Sequence, residues 1–248
     1  MSFSDSHCHL NGYPPERLLE MLEEARAKQV DIIVGMGMDL ESSQEVVQIA
    51  RSHQAILAAV GIHPWNAAPL TDELREGLSG LARQEGVVAL GEIGLDYARN
   101  PETGDVQKEL LNYELSLAID TGLPVNIHCR EAHQDMMDLL RKDVGTGLSG
   151  IIHGFSGDRA ALEDWLALGF FVSIGRAVLM PETTPLQEAV PEIPLDRLLT
   201  ETDSSPRREG ASPTNVLLVV EKLASLRGAT IDEIGSAATA NLKRLLKL

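Results

Sequence analysis

The stretch Val87–Tyr97, VVALGEIGLDY, starts as an apolar run and then gains the acidic residues Glu92 and Asp96. A short apolar run of this kind predicts a buried β-strand, here over Val87 to Leu95. The pattern before it, TDELREGLSGLARQ, and the pattern after it, QKELLNYELSLAIDTG, are both helical. The stretch is therefore a strand between two helices, and its polar residues come towards the strand's carboxyl end.

The same alternation of strand and helix runs along the whole chain, and no Ser- or Pro-rich linker divides it. We predict one α/β domain over residues 1–248, a (β/α)8 TIM barrel with an extra C-terminal helix in IDEIGSAATANLKRLLKL. A doubly wound sheet is the alternative, but no G-x-G-x-x-G follows the first strand. The eight predicted strands are Phe3 to His9, Asp31 to Met38, Ile56 to His63, Val87 to Leu95, Pro124 to Cys129, Ile151 to Phe155, Phe170 to Ile174 and Arg197 to Thr202.

The composition is that of an acidic protein with enough apolar residues for a large core. The 248 residues are 44% hydrophobic and carry a formal net charge of -16, which argues against extended, non-specific docking on a nucleic-acid backbone. There are two cysteines, no secretory signal pattern and no apolar run of about 18 residues. We expect a cytoplasmic protein with no disulfide framework, no membrane span and no obligate protein partner.

Polar residues recur at the carboxyl ends of the predicted strands, where barrel enzymes place their active sites. Scattered core histidines would have no reason to prefer one end of a barrel. The histidines His53 and His133 lie instead in helical patterns, and we expect them to be solvated. The residues at strand ends are His7, His9, His63, Glu92, Asp96, His128, Arg130, His153, Glu201 and Asp203.

The spacing within the strands indicates a metal centre. Residues two apart on a strand share a face, so His7 and His9 point together while Cys8 faces the surrounding helices, as does Cys129. The mixture of imidazole and carboxylate that remains suits Zn²⁺, Mn²⁺ or a similar ion, and it is too large for one tetrahedral site. Many barrel hydrolases bridge two metal ions with a modified lysine, but no lysine occurs at a strand end here. We therefore predict two divalent ions bridged by the Glu92 carboxylate. The predicted ligands are His7, His9, Glu92, His128, His153 and Asp203.

Six ordered motifs carry a resemblance over nearly the full length. DSHCHL, VGIHPW, GEIGLDY, LPVNIHCREA, HGFSG and ETDSSP follow one another along the chain. Together they resemble the TatD-like metal-dependent deoxyribonucleases, within the wider amidohydrolase-type barrels. The resemblance implies the same six metal ligands, with Glu92 bridging, and a metal-dependent, often Mg²⁺-supported exonuclease acting on DNA.

One segment departs from that family pattern. Members continue after the closing motif with a proline-rich stretch and a basic G-K-R-N segment, whereas this chain has the shorter SSPRREGASPTN. Arg207 and Arg208 stand in its place. They either bind phosphate or form a solvated loop.

The predicted mechanism is attack of a metal-activated water on phosphorus. We expect Asp203 to bind one ion and act as general base, and Arg130 and His63 to contact the substrate phosphate. His63 has a second interpretation, as a hydrogen-bond partner of a metal ligand, and Glu201 is expected to support a ligand from behind.

Three other functions stay open at this point. The same centre could hydrolyse a small ester, lactone or amide, because fold alone does not set the substrate. Aromatic residues make up only 4% of the chain, which gives few bases a stacking partner and disfavours a long nucleic acid. The second open function is that of a metal-binding protein without activity, although such a protein is expected to lack one of the metal ligands. The third is that of a Rossmann-type enzyme, although the chain has no cofactor-binding motif of that class. The candidate stacking residues are Trp65, Tyr97, Phe155 and Trp165.

Overall fold

A computed structural model of the chain describes residues 2–143, 145 and 147–248. Its strands are all parallel and are ordered β1 to β8 as in the sequence. Parallel strands in sequence order with intervening helices are the (β/α)8 class, and the predicted fold class is confirmed. The strands are β1 Phe3–Cys8, β2 Val30–Met36, β3 Ile56–Val60, β4 Val87–Asp96, β5 Val125–Arg130, β6 Gly150–Ile152, β7 Phe171–Ile174 and β8 Leu198–Thr200.

The two helical patterns that flank Val87–Tyr97 and the extra C-terminal helix are present, and an α-helix follows each of the other strands as well. The short helix between β7 and β8 was not predicted, because Pro181, Pro185 and Pro191 punctuate that segment. Within the described part of the chain, no helix combines the length and apolar character that a membrane crossing needs. The α-helices are α1 Pro15–Ala27, α2 Leu40–Ser52, α3 Asp72–Ala82, α4 Gly104–Thr121, α5 His133–Leu140, α6 Arg159–Ala167, α7 Thr184–Ala189, α8 Val216–Arg227 and α9 Ile231–Leu246.

The chain divides into two compact units. The first unit contains the chain up to Gly35 together with His153–Leu248, and the second unit contains Met36–Ile152. In the first unit β8 returns to lie beside β1, since the Thr200 hydroxyl donates to the Ser4 carbonyl at 3.0 Å. In the second unit β4 pairs with β3 and β5, and β5 with β6.

The extra C-terminal helix, α9, is part of the core of the first unit. Thr230 caps it in a capping box with Glu233, which satisfies backbone donors at the helix start. Asn241 on its buried face donates to the carbonyls of Leu195 and Leu198 at 2.8 and 2.9 Å, directly before and within β8. The helix therefore fixes the strand that leads into Glu201 and Asp203.

Candidate functional site

The first group of candidate ligands, called the His7 cluster, consists of His7, His9, His153 and Asp203 in the first unit. Nε2 of His9 lies 3.5 Å from Asp203 Oδ1, and Nε2 of His7 lies 3.9 Å from the same oxygen. One donor atom from each of His7, His9 and Asp203 lies within 4.8 Å of the others. Two imidazoles and a carboxylate at this separation can share one divalent cation.

Backbone pairing between β1 and the segment after β8 brings these residues together. The amide of Asp203 donates to the His7 carbonyl at 3.0 Å, and the amide of His9 donates to the Ser204 carbonyl at 2.7 Å. Asp203 adopts a left-handed conformation with φ of 49°, which costs free energy for a residue with a Cβ atom. Arg208 donates through Nη1 to the Asp203 carbonyl at 2.9 Å and so supports this backbone.

The carboxyl group of Asp203 is held in its ionised form. Burial acts to raise its pKa, but the hydrogen bond from His9 and the charges of His7 and His153 outweigh burial and lower the pKa to about 2. Nη2 of Arg208 also lies 3.5 Å from Asp203 Oδ2. Asp203 is therefore available as an anionic ligand at every physiological pH.

His153 stacks on His7, with ring centroids 3.8 Å apart and planes at 10°. Its Nδ1 lies 3.3 Å from Glu201 Oε1, and the same oxygen accepts from the Gly154 amide at 2.7 Å. A carboxylate at Nδ1 fixes the imidazole tautomer and directs Nε2 towards a metal. The contact agrees with the supporting role expected of Glu201.

Asp5 is a buried residue beside this cluster, and its role is not indicated by the sequence. Its Oδ1 accepts from the amides of His7 and Thr202 at 3.2 and 3.0 Å, and its Oδ2 accepts from the Thr202 hydroxyl at 2.6 Å. Burial raises the pKa of Asp5 to about 7, against these lowering hydrogen bonds. Asp5 joins β1 to the segment that carries Asp203. The signal was its position two residues before His7, on the same strand face.

The second group, called the Glu92 cluster, consists of His63, Glu92 and His128 in the second unit. Oε1 of Glu92 lies 3.1 Å from His63 Nε2 and 2.9 Å from His128 Nδ1. One donor atom from each of the three residues lies within 4.8 Å of the others. Glu92 is almost fully buried, at 3% exposed, so its carboxylate requires cationic or hydrogen-bonding neighbours.

Gly94 sets the approach of β4 to β5 that this cluster needs. It has a φ of 147°, and a Cβ atom placed on it would collide with the carbonyl oxygen of His128. Only glycine fits such a position without displacing the neighbouring strand. The second glycine of GEIGLD, Gly94, thus lets β4 lie close against His128.

Asp96 holds the other side of the His128 ring. Its Oδ2 lies 3.0 Å from His128 Nε2 and accepts from Trp65 Nε1 at 2.7 Å, and its Oδ1 accepts from the Arg99 amide at 2.9 Å. Burial acts to raise the pKa of Asp96, but these hydrogen bonds, the His128 bond first, outweigh burial and lower the pKa well below its ordinary value. The sequence predicts Asp96 at the end of the strand but does not indicate this role.

The contacts of His63 distinguish between its two interpretations. Nδ1 of His63 accepts from the Trp65 amide at 3.0 Å, so the proton of a neutral ring is on Nε2. Nε2–H then donates to Glu92. This arrangement favours a residue that orients the Glu92 carboxylate over one that contacts substrate.

The remaining predicted residues lie outside both clusters. Arg130, at the end of β5, is exposed, and its side chain makes no ion pair or hydrogen bond with any described residue. Cys8 is buried and Cys129 half-buried, and neither belongs to a group of metal donors among the described residues. His53 and His133, expected to be solvated, are half-buried at the ends of α2 and α5.

The donor chemistry of both clusters fits a divalent metal ion. Each offers imidazole nitrogens and a carboxylate oxygen, which Zn²⁺, Mn²⁺ and similar ions accept together. In each cluster one histidine is also held from behind by a carboxylate, Glu201 for His153 and Asp96 for His128. That support is typical of metal-ligating histidines.

Clusters of histidines and carboxylates at and directly after the carboxyl ends of the strands are typical of a metal-dependent hydrolase with a (β/α)8 fold. The chain belongs to the TatD related DNase family, whose model matches residues 4–247. It is 35% identical to the uncharacterized metal-dependent hydrolase YabD of Bacillus subtilis, over 98% of each chain. It is 32% identical to the 3'-5' ssDNA/RNA exonuclease TatD of Erwinia tasmaniensis, over 92% of this chain and 93% of that protein.

A solved structure supports the same assignment. The TatD homologue YjjV of Escherichia coli K12 superposes with a TM-score of 0.91 at 30% identity, covering 99% of this chain and 98% of that one. The resemblance inferred from the six motifs is thereby confirmed, and the chain is a metal-dependent hydrolase of this family.

Proposed function

We propose that this protein is an exonuclease-type phosphodiesterase that hydrolyses single-stranded DNA with the help of two divalent metal ions. The observation that carries the proposal is that the donor atoms of His7, His9 and Asp203 lie within 4.8 Å of one another, as do those of Glu92 and His128, with His63 beside Glu92. A relative that shares 32% identity over 92% of the chain is named as a 3'-5' ssDNA/RNA exonuclease, which supports this choice of substrate.

The proposed metal ligands are those that the sequence predicted, and Mg²⁺, Mn²⁺ or Zn²⁺ is the proposed ion. The bridging role of Glu92 stays a prediction from the sequence. Bound divalent cations would polarise the phosphoryl group and lower the pKa of the attacking water. The six ligands are His7, His9, Glu92, His128, His153 and Asp203.

The chain's own residues provide positioning and proton transfer. Asp203 is the proposed acceptor of the water's proton, since its carboxylate is ionised and 37% exposed. Arg130 is the proposed phosphate contact, because its side chain is exposed and makes no ion pair or hydrogen bond with a described residue. His63 orients Glu92 through the 3.1 Å hydrogen bond.

Cleavage of end-labelled single-stranded DNA tests the proposal. Metal-stripped protein is supplied separately with Mg²⁺, Mn²⁺ or Zn²⁺, and the label is placed on the 5' end in one substrate and on the 3' end in another. We expect metal-dependent cleavage that shortens the strand from one end and is lost in His128→Ala. That variant also excludes a contaminating nuclease.

The opposite outcome would favour the alternative substrate class. If no ion supports DNA cleavage while the protein still binds metal, the nuclease proposal is wrong. The same centre would then be tested on a small ester, lactone or amide.

A further inference from the structure

A small cavity lies within the first unit, along the segment that follows β8. Its volume is about 130 Å³, which is less than the roughly 300 Å³ at which pockets for whole small-molecule ligands begin. Thr202 and Ser204, the two neighbours of Asp203, form part of its wall. The cavity therefore adjoins the chain on either side of Asp203, a proposed catalytic residue, and has room for a small group only.

Two arginines from different loops line this cavity. Arg176 follows β7, and Arg208 belongs to the short loop after β8. Arg208 is committed to Asp203 by two contacts, whereas the Arg176 side chain is exposed and makes no ion pair or hydrogen bond with any described residue. The Arg176 guanidinium has no anionic partner among the described residues, and Arg208 already pairs with Asp203. Two guanidinium groups lining one cavity favour the binding of an anion there.

The rest of the lining divides by chemistry. Asn215 and the Ser204 hydroxyl supply polar groups, and the partly exposed side chains of Leu179 and Leu218 supply an apolar rim. A nucleotide phosphate ester matches both parts of this lining, because its anionic phosphate suits the arginines and polar groups and the apolar face of its sugar suits the leucine rim. Glu209 also lines the cavity and reduces its positive charge.

The position of the cavity in the fold agrees with this chemistry. In (β/α)8 enzymes the loops after strands 7 and 8 frequently form a phosphate-binding site. A chain with a net charge of -16 also needs local cations to hold a polyanion. The shortened loop SSPRREGASPTN, whose role the sequence left open, provides one wall of the cavity.

We propose that this cavity binds a second phosphate of the substrate strand, next to the phosphate that is cleaved, with Arg176 as the principal contact. The inference rests on the proposed nuclease function and names a subsite for it. Binding of this second phosphate makes the enzyme prefer a strand with more than one phosphate.

The test compares thymidylyl-thymidine, whose single phosphate is the one cleaved, with the trinucleotide, which carries a second phosphate. The metal-loaded wild-type protein should have a lower KM for the trinucleotide. Arg176→Met should raise the KM for the trinucleotide about tenfold and abolish the preference, since a charge-assisted hydrogen bond is lost. Glu209→Gln should lower that KM by about twofold or more, because a repelling carboxylate is removed.

Arg207→Met is the matched control. Arg207 is exposed and does not line the cavity, yet its loss removes the same charge one residue away from Arg208. If Arg207→Met and Arg176→Met raise the trinucleotide KM equally, the effect is general electrostatics and the subsite proposal is wrong. Equal KM values for the two substrates in the wild type also overturn it.

A calorimetric titration with inorganic phosphate separates this proposal from the nuclease function. The metal-loaded protein is used, with wild type, Arg176→Met and Arg207→Met in parallel. Weaker phosphate binding in Arg176→Met alone supports the cavity as a phosphate site, even if no nucleic acid is cleaved. If Arg176→Met loses phosphate affinity but the wild type does not prefer the trinucleotide, the cavity takes the phosphoryl group of a small molecule, and the strand subsite is refuted.

Discussion

Oδ2 of Asp96 lies 3.0 Å from Nε2 of His128, while the opposite nitrogen of the same ring faces Glu92. Asp96 thus fixes which nitrogen of His128 carries the proton and how the ring is turned. A carboxylate behind a metal-ligating histidine typically changes metal affinity by 10- to 100-fold, roughly. The indole of Trp65 and the backbone amide of Arg99 in turn hold Asp96 in place.

Asp96→Asn should weaken metal binding by about 10- to 100-fold, because an amide cannot stabilise the same tautomer of His128. Titration with Mn²⁺, followed by calorimetry, measures the change. Asp105→Asn is the control, since the Asp105 side chain is fully exposed and pairs with the Lys108 side chain on the surface. Equal affinities for wild type and Asp96→Asn would refute this positioning role.

Trp65 should report metal binding through its fluorescence. Its Nε1 donates to Asp96 at 2.7 Å, and its ring lies edge-on to His63 at 4.6 Å, so a cation among these residues changes its surroundings. The other tryptophan, Trp165, packs against Phe170 in the first unit. We expect a metal-induced change in emission in Trp165→Phe and none in Trp65→Phe. A change that survives in Trp65→Phe alone would contradict the arrangement.

Asp203→Asn should lower kcat by about 100-fold or more while the protein still binds metal. The amide oxygen can remain a ligand, but it cannot accept the water's proton. Steady-state cleavage of single-stranded DNA and the metal content of the same samples are the measurements. Asp196→Asn, an exposed substitution in the same unit, should leave both unchanged. Full turnover in Asp203→Asn would exclude the general-base role.

Glu114 makes stability depend on pH. It is buried on α4, its Oε1 accepts from the Ile62 amide at 2.8 Å, and burial raises its pKa well above 4.5. The folded chain therefore keeps a proton that the unfolded chain loses above pH 4.5, so stability is full below that pH and falls as pH rises towards the folded pKa.

Glu114→Gln should remove this dependence. Between pH 4.5 and the pKa of Glu114 in the folded chain, the wild type loses stability relative to the variant as the pH rises. The loss in its free energy of unfolding, relative to that of the variant, is up to about 1.4 kcal/mol for each pH unit. Urea unfolding at pH 5.5 and 7.5 measures it, with the exposed Glu109→Gln as control. The same difference at both pH values would show that Glu114 does not titrate as stated.

All eight strands could be predicted because each is a short apolar run between helical patterns. The boundaries differ by one to three residues at several strand ends. At His63, for example, the chain has already left β3 and begins a 3-10 turn at Pro64. Helix α7 could not be predicted, since six residues are too few for a periodic pattern.

The proximity of His7, His9 and Asp203, and that of Glu92 and His128, could be predicted from strand ends and two-residue spacing. That they bind metal stays a prediction. The supporting roles of Asp5 and Asp96 could not be predicted. Asp5 nevertheless stands two residues before His7 on β1, and Asp96 stands four residues after Glu92 on β4. Their roles depend on partners in other elements, Thr202 for Asp5 and Trp65 for Asp96. Such pairs between distant positions are not visible in one sequence.

The number of divalent cations bound per chain tests the account most directly. Elemental analysis after dialysis against Mn²⁺ should give about two ions for the wild type, and about one each for His9→Ala and His128→Ala, because each variant removes a donor from one cluster. One ion in the wild type, or undiminished content in both variants, would contradict the assignment of the His7 and Glu92 clusters as metal sites.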